Sequence, residues 1–219
     1  SFICEYTPNR ANGTGTIGID VGITDLAVMS NGEFIKNPKY YIKYQERLAK
    51  CQRKLFKKQK GSKNRNKARI KVASIHEKIK NSRFDHLHKL SSRIIRENQA
   101  IAIESLMVKN MVKNRKLSKH ISDAGWGLFR DQLKYKIMET KEGKLVLADP
   151  YFPSTQICNS CLKRPKNKIK LGVTRWTCMA CNTTHQRDLN AALNLETYLK
   201  ALLKNWIPDT KILLANGYK

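Results

Sequence analysis

"GTIGIDVGITDLAVMSNGEFIKN", residues 15–37, sets short apolar runs between turn residues. Ile17 and Ile19 mark a first strand and Leu26 to Met29 a second, and the Asn31-Gly32 pair makes a tight turn into a third strand through Phe34 and Ile35. The stretch therefore reads as an antiparallel meander. One residue breaks the pattern. Asp20 stands between Ile19 and Val21, where a strand built only for packing carries an apolar or threonine side chain.

Beyond the meander, from Pro38 to about Glu97, the apolar spacing becomes helical: Leu48, Cys51 and Leu55 share one face, as do Ile70, Ala73, Ile79, Leu87, Leu90 and Ile94. "KGSKNRNK", residues 60–67, divides this span into a helical hairpin. "AIAIESL", residues 100–106, is too short and apolar for a helix and reads as a buried strand; it holds a second lodged acid, Glu104. A helix capped by Ser122 follows, ended by Glu142-Gly143 before a strand "KLVLADP" at 144–150, and a last helix runs from Leu189 to about Leu203. Three strands, helices, strand, helix, strand, helix is the order of an RNase H-like α/β domain. The expected fold is that domain with a basic helical hairpin and a cysteine module inserted, the module just before the final helix.

The charge says what such a domain meets. With 43 Lys and Arg against 17 Asp and Glu, the 219-residue chain carries a formal charge of +26, which repels itself unless a polyanion covers it. Between Lys39 and Glu97 there are twenty Lys or Arg against four acids. Like charges at helical spacing destabilise a bare helix, so the hairpin is expected to face nucleic acid rather than water alone. No basic stretch has the Trp, Phe and Leu face of an interfacial helix, no apolar run reaches about eighteen residues, and "SFICEYTPNRANGTG" is not a signal peptide. The cysteines are thus expected in a reducing compartment. Ser1, rather than Met, opens what reads as the middle of a strand, and a fragment of a longer protein is expected.

Cys158, Cys161, Cys178 and Cys181 form two CxxC pairs separated by sixteen residues. Four thiolates complete the tetrahedral shell of Zn²⁺ and leave no open position, so the site is structural: metal binding folds a segment of roughly thirty residues that is poor in apolar side chains. Cys4 and Cys51 have no partner at ligand spacing and read as ordinary core or helix residues.

Burying Asp20 or Glu104 unpaired costs several kcal/mol. Taken singly, an ion pair with a Lys or Arg accounts for either acid as well as a metal does; together they point to a metal site. Asp188 adds a third carboxylate near the start of the final helix, which can deliver it to the ends of the first and fourth strands. Three carboxylates converging on two Mg²⁺ ions about 4 Å apart are what two-metal phosphodiester cleavage requires. His185 and Arg187 flank this acid and are equally readable as phosphate-positioning groups or as packing and solvated residues. Asn190 is near enough to orient Asp188, and Asn194 lies one turn on. Trp126, Trp176 and Trp206 are candidates for base stacking, although core packing is the better reading of the first two. His76, His86 and His88 read as polar-face residues of the hairpin.

Six ordered blocks, "GIDVGITDLAVMSNGEFIKNPKY", "KGSKNRNKARIKVASIHEKI", "RENQAIAIESLMVKNM", "ISDAGWGLFRDQLKYK", "DPYFPSTQICNSC" and "RWTCMACNTTHQRDLNAALNL", resemble the TnpB proteins of insertion sequences, transposon-encoded RNA-guided DNA endonucleases related to type V CRISPR effectors. The likeness spans about Ile17 to Leu195. It implies a RuvC-like nuclease in which Asp20, Glu104 and Asp188 are catalytic and hold Mg²⁺, with guide RNA and target DNA as partners, in the cytoplasm of a prokaryote at its nucleoid. It further implies that residues 1–14 end an N-terminal guide-binding domain that is otherwise missing, that 15–153 form the nuclease domain including the hairpin 38–97, that 154–184 form the zinc-binding, target nucleic-acid-binding insert, and that 185–219 return to the nuclease. The family often has "HDRD" where this chain has His185-Gln186-Arg187-Asp188, which removes a neighbouring charge but leaves the third acid in place. Two other readings follow from the same residues: a guided DNA-binding repressor that has lost cleavage, which would be expected to lack part of the acid trio, and an unguided RuvC-like resolvase or transposase.

Overall fold

The structure, a computed structural model, describes residues 13–204 except 171, together with the backbone of 212–214 and 217–218. Cys4 and Trp206 lie outside the described residues. The expected meander is present: β1 (Gly15–Val21) pairs antiparallel with β2 (Asp25–Met29), and β2 with β3 (Phe34–Lys36). Helices α1 (Tyr40–Phe56) and α2 (Lys63–Glu97) form the hairpin. Then β4 (Asn98–Glu104) lies parallel to β1, and after α3 (Val108–Met111), α4 (Ser118–Ala124) and α5 (Trp126–Met138), β5 (Lys144–Ala148) lies parallel to β4. A 3-10 turn, Ser154–Gln156, leads to a small two-stranded ribbon of β6 (Arg175–Thr177) and β7 (Thr184–Gln186), and α6 spans Arg187–Leu203. Beyond the sequence expectation, β8 (Ile212–Leu214) and β9 (Gly217–Tyr218) extend the sheet antiparallel from β5, giving the order β3-β2-β1-β4-β5-β8-β9. The architecture is mixed α/β.

The period of two along the strands sorts the sheet into two unlike faces. Ile17, Ile19, Ile101, Ile103 and Leu145 pack against Leu87 and Ile94 of α2 and Phe129, Leu133 and Ile137 of α5. On the other face Ala100, Ala102, Val146 and Ala148 meet Leu195, Leu199 and Leu202 of α6. This second face is made of small side chains, and the helix lies close to the strands. Gly18 belongs to it as well.

Three details differ from the periodicity. The hairpin turn occupies 57–62 rather than 60–67, because Ser62 starts α2 by accepting the Arg65 N–H at 3.1 Å. Ile70 and Ala73 are exposed, since among the described residues the distal part of α2 has only α1 beside it and seats Ile75 and Ile79 on Leu48 instead. Cys51 sits half-buried against the same cluster. Finally, Ser122 caps nothing: α4 starts earlier and is stopped by Gly125 at φ 72°, a left-handed conformation that a side chain resists, and α5 begins at once.

Candidate active site and metal cage

Strand register brings the first two acids together. Ile19 of β1 pairs with Ile103 of β4, and Asp20 and Glu104 are the next residues of these parallel neighbours. Both continue the α6-facing row of Gly18, Ala100 and Ala102, at the carboxyl ends of their strands, where open α/β sheets bind ligands. The third acid comes from the helix that covers this row. Gln186 caps α6 by accepting the Leu189 N–H at 2.5 Å, which leaves Asp188 in the first turn, where the helix dipole favours an anion. Asp20, Glu104 and Asp188 line one open cleft of ≈ 270 Å³ with Arg187, Gln156 and Trp126.

The surroundings of the acids differ. Burial, reinforced by the neighbouring Glu104 and Asp188 carboxylates, pushes the Asp20 carboxyl well above the usual carboxylate range against the pull of Arg187. Burial also raises Glu104, while hydrogen bonds from Ser154 and Asp20 pull it back. The Ser154 hydroxyl donates to Glu104 Oε1 at 2.5 Å, and Arg187 Nε and Nη2 each lie 2.9 Å from Asp188 Oδ1. Crowded carboxylates cannot all ionise in a poorly solvated cleft unless a cation joins them. The donors are all oxygens, the chemistry that suits a hard divalent cation such as Mg²⁺, although among the described residues only the four cysteines bring their ligand atoms within 4.8 Å of one another.

The four predicted cysteines converge with their sulfurs all within 4.8 Å of one another. Cys158 and Cys181 stand 3.6 Å apart and Cys161 and Cys178 3.7 Å, near the edge of about 3.8 Å that a tetrahedron of 2.3 Å Zn–S bonds requires. The set fits Zn²⁺. Two matching knuckles supply them: in each, the first cysteine's carbonyl accepts the N–H four residues on at 2.8 Å (Leu162, Asn182), and its own N–H donates to the carbonyl five residues on (Lys163, Thr183). Both closing residues take positive φ, 59° for Leu162 and 55° for Asn182. A backbone hydrogen bond from Lys163 favours the Cys161 thiolate, yet burial and the other three thiols push this thiol up to about 12, whereas hydrogen bonding to Thr183 holds Cys181 down at about 6. Thiols so unequal become four thiolates only around a cation.

The residues beside the acids fall out differently. His185 is buried with Nε2 3.0 Å from Cys158 Sγ and its ring tilted on Trp176 at 4.9 Å, so it braces the cage and does not line the cleft. Asn190 does not orient Asp188. Its amide donates to the Ile157 carbonyl at 2.7 Å and its oxygen accepts the Asn159 N–H at 3.0 Å, while Asn194 donates to the carbonyls of Ser154 and Ile157, both at 2.7 Å. The pair ties α6 to the first knuckle. Trp126 is core, its Nε1 donating to the Gly22 carbonyl at 3.2 Å. Gln156 pairs both amide atoms with the Ile169 backbone, at 2.8 and 3.1 Å, and so holds the loop bearing Lys166, Lys168 and Lys170 at the rim of the cleft.

Ser154 and Asp123 carry no signal in the sequence that marks their roles. Nothing in "FPSTQIC" marks a serine as an acid's partner. Asp123, buried on α4, accepts the Tyr41 N–H at 2.8 Å and pairs with Arg83 at 3.1 Å, so it caps α1 from another helix and locks the hairpin to the domain. Most basic side chains of the hairpin are exposed, and Lys54, Lys58, Lys67 and Lys71 line a groove of ≈ 320 Å³ between its helices. His76 and His88 are exposed and His86 half-buried, on the polar face expected. Among the described residues no helix is long and apolar enough to cross a membrane.

Comparison with known proteins finds that the OrfB_IS605 family, described as "Probable transposase", matches residues 1–115, and the "Cas12f1-like, TNB domain" matches 126–195. A "Putative RNA-guided DNA endonuclease" of Streptomyces pristinaespiralis is 47% identical over 196 residues, 89% of this chain and 48% of that protein. "Putative RNA-guided DNA endonuclease InsQ" of Escherichia coli (strain K12) is 32% identical over 194 residues, 82% of this chain and 48% of its own. The chain thus spans about half the length of the curated relatives it matches. Solved structures share its fold. "Cryo-EM structure of CRISPR-Cas12f Ternary Complex" has a TM-score of 0.58 at 19% identity, over 86% of this chain and 40% of that one. "Cryo-EM structure of the Cas12f1-sgRNA-target DNA complex" has 0.53 at 15%, over 82% and 49%.

Proposed function

This chain belongs to the OrfB_IS605 (TnpB/InsQ) family, and on that premise we propose that it is the nuclease portion of an RNA-guided, metal-dependent DNA endonuclease with a RuvC-like, RNase H-like domain. The observation that carries the proposal is the shared cleft of Asp20, Glu104 and Asp188, reached from two parallel strands and a helix start. In this reading the three carboxylates would hold two Mg²⁺ ions, which would activate a water and stabilise the leaving oxygen of the phosphodiester. Ser154 keeps Glu104 in place. Arg187, beside Asp188, is the group of this chain suited to a scissile phosphate. The strand order, a three-stranded meander followed by parallel strands with helices on both faces, supports the RNase H-like assignment.

The proposed divisions follow: 15–153 is the nuclease domain with its hairpin 38–97, 154–184 the zinc insert that receives target nucleic acid, and 185–219 the return to the nuclease, with 1–14 a linker from a guide-binding region. The exposed lysines and arginines of the hairpin hold phosphates without reading bases, so guide RNA supplies sequence choice and target DNA is the substrate. The site of action is the prokaryotic cytoplasm, at the nucleoid. The test is to sequence RNA retained by the purified chain and to assay DNA matching it with and without Mg²⁺. Metal-dependent cutting of matched DNA, lost in Asp20→Ala with nucleic-acid binding kept, is the expected result. Undiminished cutting by Asp20→Ala would refute the assignment.

A further inference from the structure

We infer that Ser154 is the positioning residue for Glu104, and that the cysteine cage sets its place through Asn190 and Asn194. Ser154 is 3% exposed, and its hydroxyl donates to Glu104 Oε1 at 2.5 Å. It is no part of either predicted metal site. A glutamate at a strand end turns about three side-chain bonds, and a donor fixed on one oxygen restricts that freedom. What fixes the donor is α6. The Asn194 amide holds the Ser154 carbonyl and the Ile157 carbonyl, both at 2.7 Å, and Asn190 holds the Ile157 carbonyl at 2.7 Å. Both asparagines are almost fully buried, at 1% and 2% exposure.

The same two side chains grip the first knuckle. The Asn159 N–H, next to Cys158, donates to Asn190 Oδ1 at 3.0 Å, and the Asn159 amide donates to Asn194 Oδ1 at 3.2 Å and Thr197 Oγ1 at 3.1 Å. An unbroken path of hydrogen bonds and backbone thus joins a cage cysteine to the acid of β4, and the helix it crosses is the one that bears Asp188. The knuckle, α6 and Ser154 are tied into one hydrogen-bond network.

The inference rests on the nuclease reading, in which Glu104 holds a divalent cation, and the test separates the two. Mn²⁺, visible by electron paramagnetic resonance, is titrated into the zinc-loaded full chain and into Ser154→Ala, Ser154→Thr, Asn194→Ala and Asp20→Ala. A partner of this kind changes metal affinity by about 10-fold or more. Ser154→Ala is expected to weaken Mn²⁺ by about 10-fold with zinc content unchanged, Ser154→Thr to recover most of it, and Asn194→Ala to lose less than Ser154→Ala. Parent-like Mn²⁺ affinity in Ser154→Ala, with affinity lost in Asp20→Ala, overturns the positioning role alone; unchanged affinity in Asp20→Ala overturns the nuclease reading instead. Should Ser154→Ala not fold, Asn194→Ala decides, and parent-like affinity there overturns the inference.

Discussion

Gly18 of β1 lies directly against Ala192 of α6: a Cβ on Gly18 would stand 2.0 Å from the Ala192 carbonyl oxygen and 2.5 Å from the Glu196 amide nitrogen. Both obstacles are backbone, so neither can swing aside. Gly18→Ala must therefore lift the helix that bears Asp188, and a loss of about 3 kcal/mol or more in urea denaturation is expected.

Asp20→Asn should stabilise the protein in magnesium-free buffer, and under the proposed function it also abolishes cleavage. The Asp20 carboxyl is raised mainly by burial, so its neutral form is the one folding favours. Its contribution is complete at low pH and disappears as pH rises through the folded pKa. The amide stays neutral throughout. A gain near neutrality that vanishes in acid is the pattern to look for in a pH series of denaturant midpoints.

Glu196 gives the opposite sign. Burial alone would raise it, but hydrogen bonds from Lys200, Ser30 and Thr16 lower it below the usual value; the Thr16 hydroxyl lies 2.9 Å away and Lys200 Nζ 2.6 Å. A lowered carboxyl stabilises above its unfolded pKa and loses that contribution as pH falls through the folded one. Glu196→Gln should flatten the acid side of the stability curve, which thermal melts from pH 3 to 6 would read, in about the usual carboxylate range.

The two knuckles differ at one equivalent position. Asn182 accepts its left-handed conformation readily, whereas Leu162, 62% exposed, has the same φ sign at a steric cost of about 1 kcal/mol. Leu162→Asn should tighten the cage by about that amount, measured as slower zinc release to a chelator.

Removing the Asp123 carboxylate leaves Arg83 half-buried without it and the first amides of α1 uncapped. Asp123→Ala is expected to cost about 3 kcal/mol or more, and the Tyr41 and Ile42 amides should exchange hydrogen faster than the core strands.

Patterns local in the chain made much of this molecule readable from residues alone. The meander, the paired helices, the helix at the end and the cysteine knuckles each follow from spacings of two, three or four residues, where backbone geometry decides the outcome. Acids set in apolar strands stood out for the same local reason. Which side chains meet was decided only by packing. That Asp20 and Glu104 share a face follows from parallel register between strands about eighty residues apart, and Asp188 joins them because Gly18, Ala100 and Ala102 let α6 lie close. Asn190, expected beside Asp188, turned instead to the knuckle, since buried backbone carbonyls at Ser154 and Ile157 needed donors. Ser154, Asp123 and the Gly125 break belong to this second class, because a hydrogen bond between distant segments leaves no periodic trace along the chain.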